Sequence, residues 1–127
     1  MELAIQKLTI ICFLVIGLSH IFQHRAWAEF FIQLREKGVT GSFLNAFLNL
    51  PIGALIVAFH NVWRGIPIVL TIIGWALCVK GSIYFVFPKH GLRTLARVKV
   101  EKSHEFIAAG AMMVVYAFML AYSIYRK

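Results

Sequence analysis

Four long hydrophobic runs, separated by short polar segments, make up most of this chain. The runs cover residues 3–22, 42–60, 66–87 and 104–125. Each is about 20 residues long, which as a helix crosses a hydrocarbon core of about 30 Å. Backbone polar groups in lipid must find their hydrogen bonds within the chain, and this favours helices. The pattern predicts an all-α polytopic membrane protein with four transmembrane helices in one membrane domain, residues 1–127.

The segment between the first two runs, about residues 26–37, alternates with helical periodicity. Aromatic and aliphatic side chains recur at i, i+3, i+4 and i+7, and charged residues occupy the other side. The segment is too short and too charged to cross a bilayer, so we predict an amphipathic helix that lies at the membrane interface. Its apolar face consists of Trp27, Phe30, Phe31 and Leu34.

A second polar segment, residues 88–103, is strongly basic and partly periodic, and we predict a basic amphipathic loop at the same membrane side. Gly17 and Gly81 each precede the end of a hydrophobic run, and Ser42 and Ser103 are predicted N-caps of the run that follows. This arrangement suggests a unit of span, surface segment and span that occurs twice.

Composition supports the membrane assignment. Hydrophobic residues make up 61% of the chain, whereas soluble domains contain about 45–50% apolar residues. The formal net charge is +8. Because the basic residues lie in short loops beside hydrophobic runs, anionic lipid headgroups explain this charge better than a nucleic acid. The first run has no A-x-A cleavage site, so we expect no cleavable signal peptide.

The basic residues are distributed unequally between the two sides of the predicted bundle. The side that holds residues 23–41 and 88–103 has eight, and the opposite side has four. The positive-inside rule then predicts a bacterial inner (plasma) membrane protein with both termini outside. The two sets are Arg25, Arg35, Lys37, Lys89, Arg93, Arg97, Lys99 and Lys102 against Lys7, Arg64, Arg126 and Lys127.

Three histidines form the first candidate site. His20 and His24 are four residues apart and face one way near the end of the first run, and His104 begins the fourth run on the same side. Histidines at matched depth on facing helices can bind haem, and the same group would suit a quinone. The alternative is that these side chains bond headgroups and loop carbonyls. We predict no separate metal site.

Polar residues inside the hydrophobic runs form a second candidate site. Lys80 lies about 10 Å from the end of the third run, and an ionisable residue at such a position is a functional-site hypothesis. We expect Glu105, at the start of the fourth run, to pair with it. Asn45 and Asn49 share a helix face and either line a polar cavity or bond between helices.

The segment GLSHIFQHRAWAEFF, residues 17–31, and the bend NLPIG, residues 49–53, resemble the DoxX-like group of small four-span membrane proteins. The resemblance covers about residues 8–90. Members of that family commonly have an acidic residue in the second span, where this chain has Asn49 and Pro51. The resemblance implies an accessory role beside membrane redox systems, in quinol oxidation or oxidative-stress complexes, and it supplies no catalytic residues.

These patterns leave three functional hypotheses. The first is a non-enzymatic accessory or scaffold protein of a redox or respiratory membrane complex. The second is a haem- or quinone-binding redox protein that uses the three histidines. The third is a small-solute carrier that uses Lys80, Asn45 and Asn49, which would need a homo-oligomer because four spans enclose little space. The chain has no nucleotide-binding loop, HExxH motif or nucleophile elbow, so we do not expect a hydrolase or kinase.

Overall fold

The computed structural model describes residues 1–126, and Lys127 lies outside the described residues. In this part of the chain all regular structure is helical, which confirms the predicted fold class. Four of the helices are long and apolar enough to cross a membrane. The α-helices are α1 Glu2–Phe22, α2 His24–Glu36, α3 Val39–Phe59, α4 Ile68–Val86, α5 Pro88–Leu95 and α6 His104–Tyr125, and a short 3₁₀ turn covers Val100–Lys102.

Two halves of the chain repeat the same order of elements. In each half a long helix is followed by a short helix and a second long helix. The first long helix ends at a single residue outside helical geometry, Gln23 or Phe87, and the short helix begins immediately afterwards. The short helices α2 and α5 contact each other, so they lie at one end of the bundle. We call this the basic end, and the end where residues 60–67 link α3 to α4 the hairpin end.

The long helices form two pairs. α1 packs against α6, and α3 packs against α4. Glycines allow the close approach in both pairs. A Cβ atom on Gly17 would lie 2.8 Å from the carbonyl oxygen of Gly110, and one on Gly81 would lie 2.7 Å from the backbone nitrogen of Leu50. The glycine surface of α4 is thus occupied by α3, and not by α6, where the predicted partner of Lys80 lies.

The start of α3 differs from the prediction. The helix begins at Val39 rather than Ser42, because Gly38 adopts a positive φ of 65° and lets the chain enter the helix directly. Ser42 is instead buried inside α3, and its hydroxyl donates to the carbonyl of Tyr84, 3.2 Å away. Ser103 occupies the N-cap position of α6, as predicted, but its side chain forms no capping hydrogen bond.

The predicted basic loop contains a helix of its own. α5 begins at Pro88, where a fixed φ and a missing N–H are tolerated. Gly91 faces α3 and α4 so closely that an added Cβ would meet Ser42 and Tyr84. The basic end therefore has two short helices, α2 and α5.

The surface of the bundle is apolar between its two ends. Phe22, Phe47, Val86 and Phe118 are each more than 60% exposed, at 73, 62, 67 and 64%. Buried apolar residues are fewer, and one cluster of them, which includes Ile56, Leu70 and Leu120, lies toward the hairpin end. A membrane protein can leave such side chains exposed because lipid, not water, surrounds them.

Candidate functional site

His20 lies at the basic end, on the last turn of α1. Its Nδ1 is 2.8 Å from the carbonyl oxygen of Ile16. A carbonyl only accepts, so Nδ1 carries a proton, and in the neutral imidazole Nε2 is then the acceptor. The imidazole stacks on the indole of Trp27, with centroids 4.3 Å apart, and lies 5.8 Å from the ring of Phe106. The hydrogen bond to Ile16 thus fixes the orientation of the His20 ring. The aromatic rings of Trp27 and Phe106 lie next to it and form an aromatic wall on two sides.

The predicted interfacial face of α2 supplies most of that aromatic wall. The indole N–H of Trp27 donates to the hydroxyl of Ser19, 2.9 Å away, which holds α2 against α1. Phe31 stacks on Phe106 of α6, with centroids 5.8 Å apart. Leu34 is buried, whereas Phe30 is 38% exposed. This face therefore packs largely on the bundle. We refer to His20, Trp27, Phe31 and Phe106 as the aromatic cluster.

The other two predicted cofactor histidines are not part of this cluster. Nδ1 of His24 forms a 2.8 Å hydrogen bond with the hydroxyl of Ser103, which connects α2 to the start of α6. His104 is exposed. In residues 1–126 no three His, Cys, Asp or Glu side chains are grouped as a metal site. His20, His24 and His104 share an end of the bundle, and each has a separate environment.

Lys80 and Glu105 are not brought together. Lys80 lines an open groove of about 550 Å³ along α4, and its Nζ lies 5.7 Å from the ring centroid of Tyr84. Glu105 lines a different cleft, of about 200 Å³, with Arg97, Lys99 and Lys102. Glu105 thus lies among basic residues of the segment that precedes α6.

Asn45 and Asn49 are buried in α3 and bond to each other. The side-chain amide of Asn49 donates to the backbone oxygen of Asn45, at 2.6 Å, and to its side-chain oxygen, at 3.2 Å. These bonds lie within one helix, so they neither join two helices nor leave the Asn49 amide free for a solute.

The hairpin end contains a buried polar network that sequence reasoning did not identify. His60, the residue after α3, has no exposed surface. Its Nδ1 lies 3.0 Å from Thr71 Oγ1, and its Nε2 lies 3.0 Å from Gln6 Nε2. The Thr71 hydroxyl donates to the carbonyl of Val62, at 2.8 Å, so it accepts from His60. His60 is therefore the neutral Nδ1–H tautomer, and its Nε2 accepts from the Gln6 amide.

Tyr116 extends this network to the fourth span. Its hydroxyl donates to the carbonyl of Ile66 and accepts from the backbone N–H of Leu70, both at 3.0 Å. Gln6 belongs to α1, His60 follows α3, Thr71 belongs to α4 and Tyr116 to α6. All four long helices therefore meet in hydrogen bonds at the hairpin end.

Burial in this network affects the proton affinity of His60. Removal from water disfavours the imidazolium, so burial lowers the pKa of His60, and the negative charge of Glu2 opposes this shift in part. One signal in the sequence pointed here: Gln6 and Thr71 are polar residues inside hydrophobic runs, at the same side as His60. The chain positions alone do not show that the three side chains meet.

Among the described residues every buried side-chain nitrogen and oxygen has a hydrogen-bond partner. Among these groups, Gln6, His60 and Thr71 connect different helices, whereas Asn45 and Asn49 bond within α3. Comparison with protein-family models, with curated proteins and with solved structures finds no match to this chain.

Proposed function

We propose that this chain is an integral membrane accessory protein, a scaffold subunit of a larger membrane complex without enzymatic activity of its own. One observation carries the proposal: the buried polar side chains bond to one another and to the chain's own backbone. Polar residues inside membranes often mark substrate or proton paths. Here the Gln6–His60–Thr71 network joins helices, which is what a rigid scaffold requires.

The type of complex is inferred from the sequence. The resemblance of residues 8–90 to DoxX-like proteins supports association with a redox or respiratory complex. The excess of basic residues at the basic end supports a cytoplasmic position for that end in a bacterial inner membrane, with both termini outside. The exposed apolar side chains of the four long helices are the surface on which neighbouring subunits, or further copies of this chain, would pack.

Isolation of the intact complex tests the proposal. Affinity-tagged chain is extracted from native membranes in a mild detergent, separated on a native gel, and analysed by mass spectrometry. We expect it to migrate with a larger assembly that contains redox subunits, and membranes that carry an unrelated tagged four-span protein serve as the control. Migration as a free monomer at native expression level would contradict the scaffold role.

A second candidate function, a quinol- or haem-binding redox protein, has one observation in its favour. His20 donates through Nδ1 to Ile16, so in the neutral imidazole Nε2 is an acceptor beside stacked aromatic rings. Such an atom accepts a hydrogen bond from a quinol hydroxyl, and it can also ligate haem iron. The carrier hypothesis has no comparable observation, because Asn49 bonds to Asn45.

A visible spectrum and an extract of bound quinones test this second function. A Soret band, or a quinone that copurifies, would support it if His20→Ala removes the signal and His104→Asn, at an exposed histidine on the same end, retains it. A protein without either signal, or a signal that is unaffected by His20→Ala, would exclude binding at the aromatic cluster.

A further inference from the structure

The groove that contains Lys80 runs along the outward face of α4. Apolar side chains from successive turns of α4 form its wall. The amine of Lys80 lies toward the basic end of this wall. His90 of α5 also lines the groove. The lining residues include Ile72, Trp75, Ala76, Val79, Lys80 and His90.

The Lys80 side chain extends toward the basic end. Tyr84 lies one helical turn nearer that end, and Nζ is 5.7 Å from its ring centroid. A long cationic side chain in a span commonly extends in this way, so that its charge reaches the interface. The described residues that line the groove include no carboxylate. The amine therefore lacks an anionic partner within the groove.

From this arrangement we infer that the groove binds one anionic phospholipid, whose phosphate lies between Lys80 and His90 and whose acyl chain lies along Ile72, Trp75 and Val79. Basic pockets beside transmembrane helices recognise anionic headgroups in this manner. The inference is independent of the scaffold function proposed above.

A second copy of this chain fits the groove less well. The chain has no Asp, and its five Glu residues lie at positions 2, 29, 36, 101 and 105. None of them lies in the interior of a long helix, so a neighbouring copy offers no carboxylate at the depth of Lys80. The phosphate of a lipid in the surrounding leaflet lies at the membrane interface, within reach of a lysine that extends toward it.

Native mass spectrometry of delipidated protein in detergent tests the site. Dioleoyl-phosphatidylglycerol and dioleoyl-phosphatidylcholine are added separately, so the probes differ in headgroup charge and share their acyl chains. We expect one retained phosphatidylglycerol molecule and weaker retention of phosphatidylcholine. Lys80→Met should reduce phosphatidylglycerol binding about fivefold, the factor that matches one lysine contact with an anionic lipid.

Two further variants distinguish the site from general charge and from misfolding. Lys7→Met removes an exposed lysine from α1, near the other end of the bundle, and should leave phosphatidylglycerol binding unchanged. Ala76→Phe fills the apolar part of the groove and should reduce binding while Lys80 remains in place. His90→Gln should weaken binding less than Lys80→Met, because glutamine still offers an N–H donor to the phosphate, whereas methionine offers none.

Four results would overturn the inference. They are equal retention of the two lipids, equal loss in Lys80→Met and Lys7→Met, no effect of Ala76→Phe, and displacement of the lipid by inorganic phosphate, which would indicate a site for a free anion. A dimer that excludes lipid from the groove would also overturn it, since a second copy would then be the occupant.

Discussion

Gln6 and His60 share a 3.0 Å hydrogen bond between their Nε2 atoms, although 54 positions separate them in the chain. Gln6 belongs to the α1–α6 pair, and His60 belongs to the α3–α4 pair. The bond therefore joins two helix pairs whose other contacts are largely internal. The first two predictions concern other members of the hydrogen-bond network to which this bond belongs.

Thr71→Val should destabilise the bundle. Valine has nearly the same shape as threonine and lacks the hydroxyl, so His60 Nδ1–H and both polar groups of Val62 lose a partner. Loss of one buried partner costs about 1–3 kcal/mol. The thermal unfolding midpoint in detergent should fall, whereas Thr40→Val, at an exposed position on α3, should leave it unchanged. Equal midpoints for the two variants would show that the network contributes no stability.

Stability should decrease as the solution is acidified through the titration of His60. Burial lowers the pKa of His60 below 6.5, its usual value, so the unfolded chain binds the proton first. The contribution to stability is complete above the unfolded pKa and is lost as the pH falls toward the lower, folded value. The unfolding midpoint of the wild type should fall between about pH 7.5 and about pH 5.5, and that of His60→Gln should fall less. Parallel profiles would assign the pH dependence to other groups.

Gly17→Val should separate α1 from α6. A Cβ atom at this position lies 2.8 Å from the backbone oxygen of Gly110, and a backbone atom cannot move aside as a flexible side chain can. We expect a loss of about 1–3 kcal/mol from overpacking. Ala111→Val adds similar volume at an exposed site on α6 and serves as the control. Unfolding of the two variants in detergent, followed by tryptophan fluorescence, measures the difference in their stability. Comparable stability would argue against the close contact between α1 and α6 at Gly17.

Lys80 and Glu105 should behave as independent residues. They line separate grooves on helices that belong to different pairs. The effects of Lys80→Met and Glu105→Gln on unfolding should therefore add to within about 0.3–0.5 kcal/mol. A cycle of Gln6→Leu with Thr71→Val is the positive control, since both residues bond to His60. A coupling of about 1 kcal/mol between Lys80 and Glu105 would contradict this prediction and would indicate that the two side chains are in direct contact.

The basic end should face the cytoplasm. A reporter that is active only in the cytoplasm should be inactive when fused after Lys127 and active when inserted after Lys99. The reason is that an excess of Lys and Arg keeps the loops that contain it on the cytoplasmic side. The two fusions control for each other's expression. Activity after Lys127 would place both termini inside and reverse the orientation.

Local features of the fold were predictable from the sequence. Hydrophobic runs of about 20 residues determine spans, since the length requirement comes from the bilayer and not from any neighbour. The periodicity of Trp27, Phe30, Phe31 and Leu34 likewise identified α2. The start of α3 was mispredicted because Ser42 matches a common N-cap pattern, whereas the φ of Gly38 decides where the helix begins.

The candidate sites were less predictable, because each depends on contacts between distant segments. His20, His24 and His104 were predicted at the same membrane side and at similar depth, which suggested that their side chains converge. Instead His20 bonds to its own helix and His24 bonds to Ser103. Side-chain direction decides between these outcomes, and it follows from helix rotation, which one sequence does not reveal.

The sequence by itself determined the all-helical fold, the four long apolar helices, the short amphipathic helix and the unequal charge of the two ends, because these follow from local hydrophobicity and periodicity. Only the tertiary structure decided that α1 pairs with α6 and α3 with α4, that His60 is enclosed by Gln6 and Thr71, and that Lys80 faces outward. Glycines such as Gly17 show that a close helix contact is allowed, but the choice of partner depends on how the shapes of two distant helices fit.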